Sequence, residues 1–201
     1  MKELLKLSSI LALICCGAAL ALGCVYELTK EPIARQQQLK KQRAVAAVFP
    51  NLQLGSGTEG TAVELCTKES PACREIFILK AENHINGIAL EAETPGYNGP
   101  IGLMVGMLPD GTLSAISVIS HTETPGLGAN ITLQSFCSQF SGQNEPKNLK
   151  LKKNGGTVDH VTGATISSAA VVQAVRDEMC FFRANQPAIL NAQKRANGEG
   201  Q

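Results

Sequence analysis

Two apolar runs, Pro100-Ile101-Gly102-Leu103-Met104-Val105-Gly106-Met107-Leu108 and Leu113-Ser114-Ala115-Ile116-Ser117-Val118-Ile119-Ser120-His121, stand on either side of Pro109-Asp110-Gly111-Thr112. A turn tetrapeptide between two such runs predicts a β-hairpin. Working outward from it, His84 to Glu93 reads as a further strand, with Gly87 marking a bend or bulge. Glu75 to Lys80 and Thr61 to Cys66 read as two more, behind a glycine-rich loop at 54–60. Downstream the pattern changes. Asn130 to Phe140 predicts a short helix with Ile131, Leu133, Phe136 and Phe140 towards the core. Lys147 to Gly156 is a basic loop, Ser167 to about Asn185 a long apolar helix, and the residues after Gln186 a polar, frayed tail. Strands first and helices afterwards predict an α+β domain: an antiparallel sheet with helices packed on it.

One phrase occurs twice around the hairpin. Glu93-Thr94-Pro95-Gly96-Tyr97 returns as Glu123-Thr124-Pro125-Gly126-Leu127, and each copy closes a predicted strand. If the three strands are antiparallel neighbours, both copies fall on one edge of the sheet and share a role there. The plainer reading is two unrelated type II turns, for which Pro-Gly is common.

The 201 residues carry a formal net charge of +1, and the part beyond the N-terminus is also near neutral. That argues against nucleic acid as a partner, which calls for a basic face. Leu7 to Tyr26 contains no charge and is long enough to cross a bilayer core. An uncleaved anchor fits this length better than a signal peptide, whose apolar region is usually shorter. A lipoprotein ending at Ala21-Leu22-Gly23-Cys24 is the third reading. Lysines and arginines lie on both sides of the span, so charge does not set its orientation. Thr29 to Phe49 predicts a polar helical stalk, with Thr29 as N-cap and Pro32 in the first turn. Of the seven cysteines, Cys66 and Cys73 are spaced so that a turn brings them into disulfide range, with two free thiols an equal reading; Cys180 reads as core. No metal-ligand spacing appears among the cysteines and the three histidines.

Asp159-His160-Val161-Thr162-Gly163-Ala164-Thr165-Ile166-Ser167 opens onto the last helix. A helix start leaves N–H groups unpaired and attracts anions, phosphate above all. Gly163 and Ala164 remove bulk beside Thr165, and Thr162, Ser167 and Ser168 can add hydrogen bonds. The helix dipole adds about 0.3–1 kcal/mol in favour of a bound negative charge. Taken alone, the stretch is equally an ordinary helix start with hydroxyl caps.

Together with His121-Thr122-Glu123-Thr124-Pro125-Gly126-Leu127-Gly128, this stretch resembles the FMN-binding domain family, and within it the G component of the Rnf (Rsx) ion-translocating electron transport complexes. The related C component of the sodium-pumping NADH:quinone oxidoreductase shares both motifs. The resemblance extends over nearly the whole chain. It implies FMN held covalently, as a phosphoester through the hydroxyl of Thr165. It also implies a single-pass protein of the bacterial inner membrane with its domain in the periplasm, working with the other subunits of the Rnf complex and with a flavin-attaching transferase. The expected organisation is a transmembrane anchor over 1–28, a stalk over 29–50, an FMN-binding domain over 51–187 and a polar tail over 188–201.

In this reading Thr162, Gly163, Ala164 and Ser167 surround the attachment point. Thr124 and the backbone of Gly126 and Gly128 hydrogen-bond the flavin, Leu127 lies against its ring, and Glu123 accepts from nearby N–H groups. Tyr97 is a stacking or a rim aromatic, and His121 a proton carrier or a structural residue. Lys147, Lys150, Lys152 and Lys153 screen the phosphate, dock a partner or form a solvated loop. Asp159 is assigned to recognition by the attaching enzyme, with metal as an option, or to a cap of the turn. No catalytic residue or resident metal is expected; the chain is an electron-transfer component without turnover of its own. The rival readings are the quinone reductase component and a non-redox module that keeps the fold.

Overall fold

The structure is a computed structural model that describes residues 2–50, 59–67, 70–81 and 84–196, with side chains described except at 3–5, 59–75, 81 and 190–196. It divides into two units, Met1–Lys40 and Lys41–Gln201.

The first unit is helical throughout its described length and belongs to α1, Lys2–Ala47. Its apolar part is long enough and hydrophobic enough to cross a membrane. The predicted break before the stalk is absent. Thr29 does not cap a new helix; its hydroxyl donates to the carbonyls of Val25 at 2.8 Å and Tyr26 at 3.2 Å, a back-bond that an unbroken helix allows.

In the second unit, five strands among the described residues form one antiparallel sheet in sequence order. They are β1 (Glu59–Thr67), β2 (Ser70–Ala81), β3 (His84–Pro95), β4 (Pro100–Met107) and β5 (Leu113–His121). The loop expected at 54–60 lies outside the described residues except for Glu59 and Gly60, which are in β1. The hairpin that led the sequence reading is β4–β5, with Val105 opposite Ile116 and Ile101 opposite His121. Register shifts at Leu79/Lys80, Gly102/Leu103 and Gly106/Met107 mark local irregularities in the ladders.

Alternation sorts the strand side chains onto two covered faces. Ile88, Leu90, Ile101, Leu103, Val105 and Met107 point to the larger core. There they meet Val171, Val175, Met179 and Phe182 of the last long helix (Thr165–Ala196), spaced as one apolar stripe. Phe77, Leu79, Ala89 and Met104 point the other way, onto Ala44, Val45, Val48 and Phe49. Because both faces are covered, β4 reads as nearly continuous apolar sequence. It also explains why the compact unit begins at Lys41 rather than at the expected position 51. The end of the stalk is core, and Lys41 adds a salt bridge to Glu91 at 2.6 Å.

Three further expectations change. The helix over 130–140 is broken into 3-10 turns at Gly128–Thr132 and Ser138–Phe140 with one helical turn, α2 (Gln134–Cys137), between them. The break is at Leu133, which is extended (φ −66°, ψ 140°) and exposed instead of buried, while Ile131, Phe136 and Phe140 do reach the core. The last long helix, α3 (Thr165–Ala196), begins two residues earlier than expected. Pro187 lies inside it and Ile189 is buried, so packing carries the helix past the proline into the expected tail. Cys180 is exposed, not core.

Candidate functional site

Both Pro-Gly phrases lie at the same end of the sheet, where β3 and β5 finish. The second is a type II turn: Leu127 N–H donates to Thr124 O at 3.2 Å and Gly126 has φ 77°. The first is not. Gly96 N–H donates to Gly99 O at 2.8 Å, and Gly96 is needed for space, since a Cβ there would overlap Oε1 of Glu123 and stand 2.6 Å from Ile101 Cδ1. Gly128 closes on the same side chain, where a Cβ would overlap Oε2 and come within 2.8 Å of Glu123 Cβ.

Glu123 joins the pieces. It is 4% exposed. Oε1 accepts from the N–H groups of Tyr97 at 2.7 Å and Asn98 at 3.1 Å, and Oε2 from the hydroxyl of Ser167 at 2.8 Å. Burial pushes the carboxyl upward, but the bonds from Asn98, Ser167 and Tyr97 and the charge of nearby His121 outweigh it and hold the group below its ordinary 4.5. It is therefore ionised at neutral pH. The echo in the sequence thus marks two segments that one carboxylate ties together. His121 ends β5 beside it, and its Nδ1 is buried without a hydrogen-bond partner among the described residues.

The start of α3 is built just as tightly. Ala164 N–H donates to Val161 O at 2.9 Å around Gly163, whose φ of 77° favours glycine. The Ser168 hydroxyl accepts from Val161 N–H at 3.0 Å and donates to Ala164 O at 2.8 Å, so it staples the turn rather than facing outward. Thr165 follows as the first residue of the helix, half-buried. Asp159 lies to one side. Its N–H donates to Gln139 Oε1 at 2.6 Å and its carboxylate pairs with Lys152 at 2.5 Å, both side chains being exposed.

A cavity of about 360 Å³ lies between the two motifs. Thr165, Gly163, Ala164 and Ser167 line it from one side, and Glu123, Thr124, Leu127 and Gly128 from the other, with Tyr97 at the rim. Seven of the nine expected site residues meet here. Thr162 does not: it lines a separate, open groove of about 720 Å³ with Asp159, His160, Lys152 and Gln139. Gly126 shapes its turn without lining the cavity. Sequence reasoning missed Ile166, an exposed apolar residue in the wall next to Thr165, although its place inside the motif was a usable signal. It also missed Asn98 and Gln139. Asn98 acts on Glu123 through its backbone, and Gln139 holds a loop twenty residues away, so neither carries a local signal.

Known proteins match both halves of the chain. The FMN-binding domain pattern covers residues 96–179, and the RnfG N-terminal region covers residues 1–48. The G component of the ion-translocating oxidoreductase complex of Vibrio atlanticus is 36% identical, over 94% of this chain and 95% of its own. That of Aliivibrio fischeri strain MJ11 is 32% identical, over 92% and 93%. Among solved structures, the C component of the Na(+)-translocating NADH-quinone reductase of Parabacteroides distasonis superposes with a TM-score of 0.57 at 16% identity. That superposition covers 77% of this chain and 95% of the other. NqrC of Shewanella oneidensis gives the same score and identity over 72% and 93%. These two show a shared fold.

Proposed function

The chain belongs to the family of G components of ion-translocating oxidoreductase complexes, and from that premise we propose that it carries FMN on the hydroxyl oxygen of Thr165 and relays electrons within such a complex. One observation carries the assignment: Thr165 opens a helix at the edge of a cavity whose opposite wall is the Glu123–Gly128 turn. The residues fit the group. A phosphoester needs a hydroxyl that is reachable, beside backbone without bulk, and Thr165 follows Gly163 and Ala164. The first N–H groups of α3 have no partner within the helix and favour a phosphate. Leu127 and Tyr97, 49% and 70% exposed, offer apolar area beside the cavity for a flat ring. At about 360 Å³ the cavity is near the small end of cofactor sites, so it seats part of a flavin and leaves an edge open to a partner.

When bound, FMN supplies the one- and two-electron chemistry; the chain supplies attachment, orientation and electrostatics. Thr165 fixes the phosphate end, Leu127 and Tyr97 flank the ring, and Thr124 offers hydrogen bonds. Asp159, paired with Lys152 on the surface, is presented to the attaching transferase. The uncharged span anchors the domain in the inner membrane in a single pass, with the domain in the periplasm, where covalent attachment prevents loss of the cofactor. A span without charged residues offers no ion path, so translocation belongs to other members of the complex.

The family match favours the G component of an ion-translocating complex over the C component of the quinone reductase, since the latter resemblance rests on fold at 16% identity. Full-length protein produced with the transferase is run on a denaturing gel. Flavin fluorescence stays with the wild-type band and is lost in Thr165→Ala. A dark wild-type band, or equal fluorescence in the variant, refutes the assignment. Mass spectrometry of the peptide spanning Asp159 to Arg176 locates the bond.

A further inference from the structure

Glu123 does more than join turns. Its carboxylate is buried and ionised, and it lines the cavity that Thr165 opens onto. All three of its hydrogen-bond donors are neutral groups: two backbone N–H groups and one hydroxyl. They share its charge without cancelling it, and the charge that works against it from beside β5 is that of His121.

We propose that Glu123 is an electrostatic tuning residue, a fixed negative charge in the flavin cavity that lowers the midpoint potential of the bound flavin and so makes the reduced protein a stronger electron donor. The inference rests on the FMN reading above. Reduction adds electron density to the ring. A negative charge in the cavity wall opposes that addition, and a carboxylate only 4% exposed is screened less than one in open water. The Ser167 hydroxyl works in the opposite sense, because its dipole points at the carboxylate and offsets part of the charge.

Two substitutions separate this role from a purely structural one. Glu123→Gln keeps the shape. Its amide oxygen can still accept from Tyr97 and Asn98, and its NH2 can donate to Ser167, so the two turns stay tied while the charge is removed. Ser167→Ala keeps the charge and removes one of the groups that offsets it. Spectroelectrochemical titration of the full, flavin-loaded chain in detergent reads the midpoint potential. Glu123→Gln moves it upward and Ser167→Ala moves it downward. A merely loosened pocket would move both in the same direction. An unchanged potential in Glu123→Gln, or shifts of the same sign, overturns the proposal. If Glu123→Gln takes up no flavin, Ser167→Ala decides alone: a downward shift supports the charge, and no shift or an upward one refutes it. A wild-type chain without covalent flavin defeats the cofactor reading itself, which the gel shows before any potential is measured.

Discussion

Phe49 and Gly87 make a single contact across the back of the sheet, and their energies are coupled in a predictable way. Phe49 is 1% exposed and packs with Ala44, Val45, Val48, Leu79, Ala89 and Met104. Phe49→Ala empties that space, which costs about 3–5 kcal/mol in a core. Gly87→Ala does the reverse. The new Cβ would overlap Phe49 Cε1 and stand 2.7 Å from Cζ and 2.9 Å from Cδ1, and such overpacking costs roughly 1–3 kcal/mol. In the double variant the methyl at 87 enters the space left by the ring, so the clash vanishes. The pair should then cost about 1–3 kcal/mol less than the sum of its parts, within the range seen for residues in contact. Hydrogen–deuterium exchange of the β3 and β4 amides, followed by mass spectrometry on the full chain in detergent, reads this directly. Phe49→Ala should speed exchange roughly a hundred- to several-thousandfold, since about 1.4 kcal/mol corresponds to a factor of ten. Gly87→Ala should speed it less, and in the double variant it should add little beyond Phe49→Ala. Factors that simply multiply would refute the packing argument.

Other outcomes follow from the titrating groups and thiols. The folded state holds Glu123 below its ordinary 4.5, so its contribution to stability is complete above that value. It is lost as pH falls through the folded value; thermal melts on acidification should show this loss, and Glu123→Gln should flatten it. Burial pushes the Cys137 thiol up from 9.0 to about 11, and its Sγ donates to Ile131 O at 3.3 Å. Its contribution is present below 9.0 and fades as pH rises to about 11, and at neutral pH an alkylating reagent should label exposed Cys180 well before Cys137. The side chains of Cys66 and Cys73 lie outside the described residues, but the backbone places Leu65 opposite Arg74, one position from each cysteine along its strand, with the register shifting between Leu65 and Thr67. We propose a disulfide there; both thiols labelling fully without reductant would exclude it.

The hairpin, the antiparallel sheet and the glycine turn that opens α3 were legible because local chemistry writes them. Turn residues punctuate β4 and β5, and small residues and hydroxyls mark the start of α3. The echo of Thr-Pro-Gly pointed correctly to two segments at one sheet end, although only the second is the type II turn that Pro-Gly suggests. What was not legible depends on partners distant in the chain. Val45, Val48 and Phe49 look like sparse apolar residues on a polar stalk until the sheet covers them. Leu133 fits a helical stripe but breaks the helix, because Ile131 and Phe136 reach the core from separate short turns. Pro187 looks like a stop, yet Ile189 packs beyond it. The Glu123–Ser167 bond spans 44 residues and has no local signature at all.

The crowding around Glu123 has a consequence for how this region can change over generations. Gly96 closes on one carboxylate oxygen and Gly128 on the other, so neither glycine can gain a side chain while the glutamate stays in place. A shorter residue at 123 would relieve both glycines but abandon the N–H groups of Tyr97 and Asn98. Positions 96, 123 and 128 therefore form one unit of inheritance. In an alignment of relatives they should be retained together, and a lineage that loses the glutamate should be where larger residues first appear at both glycine positions.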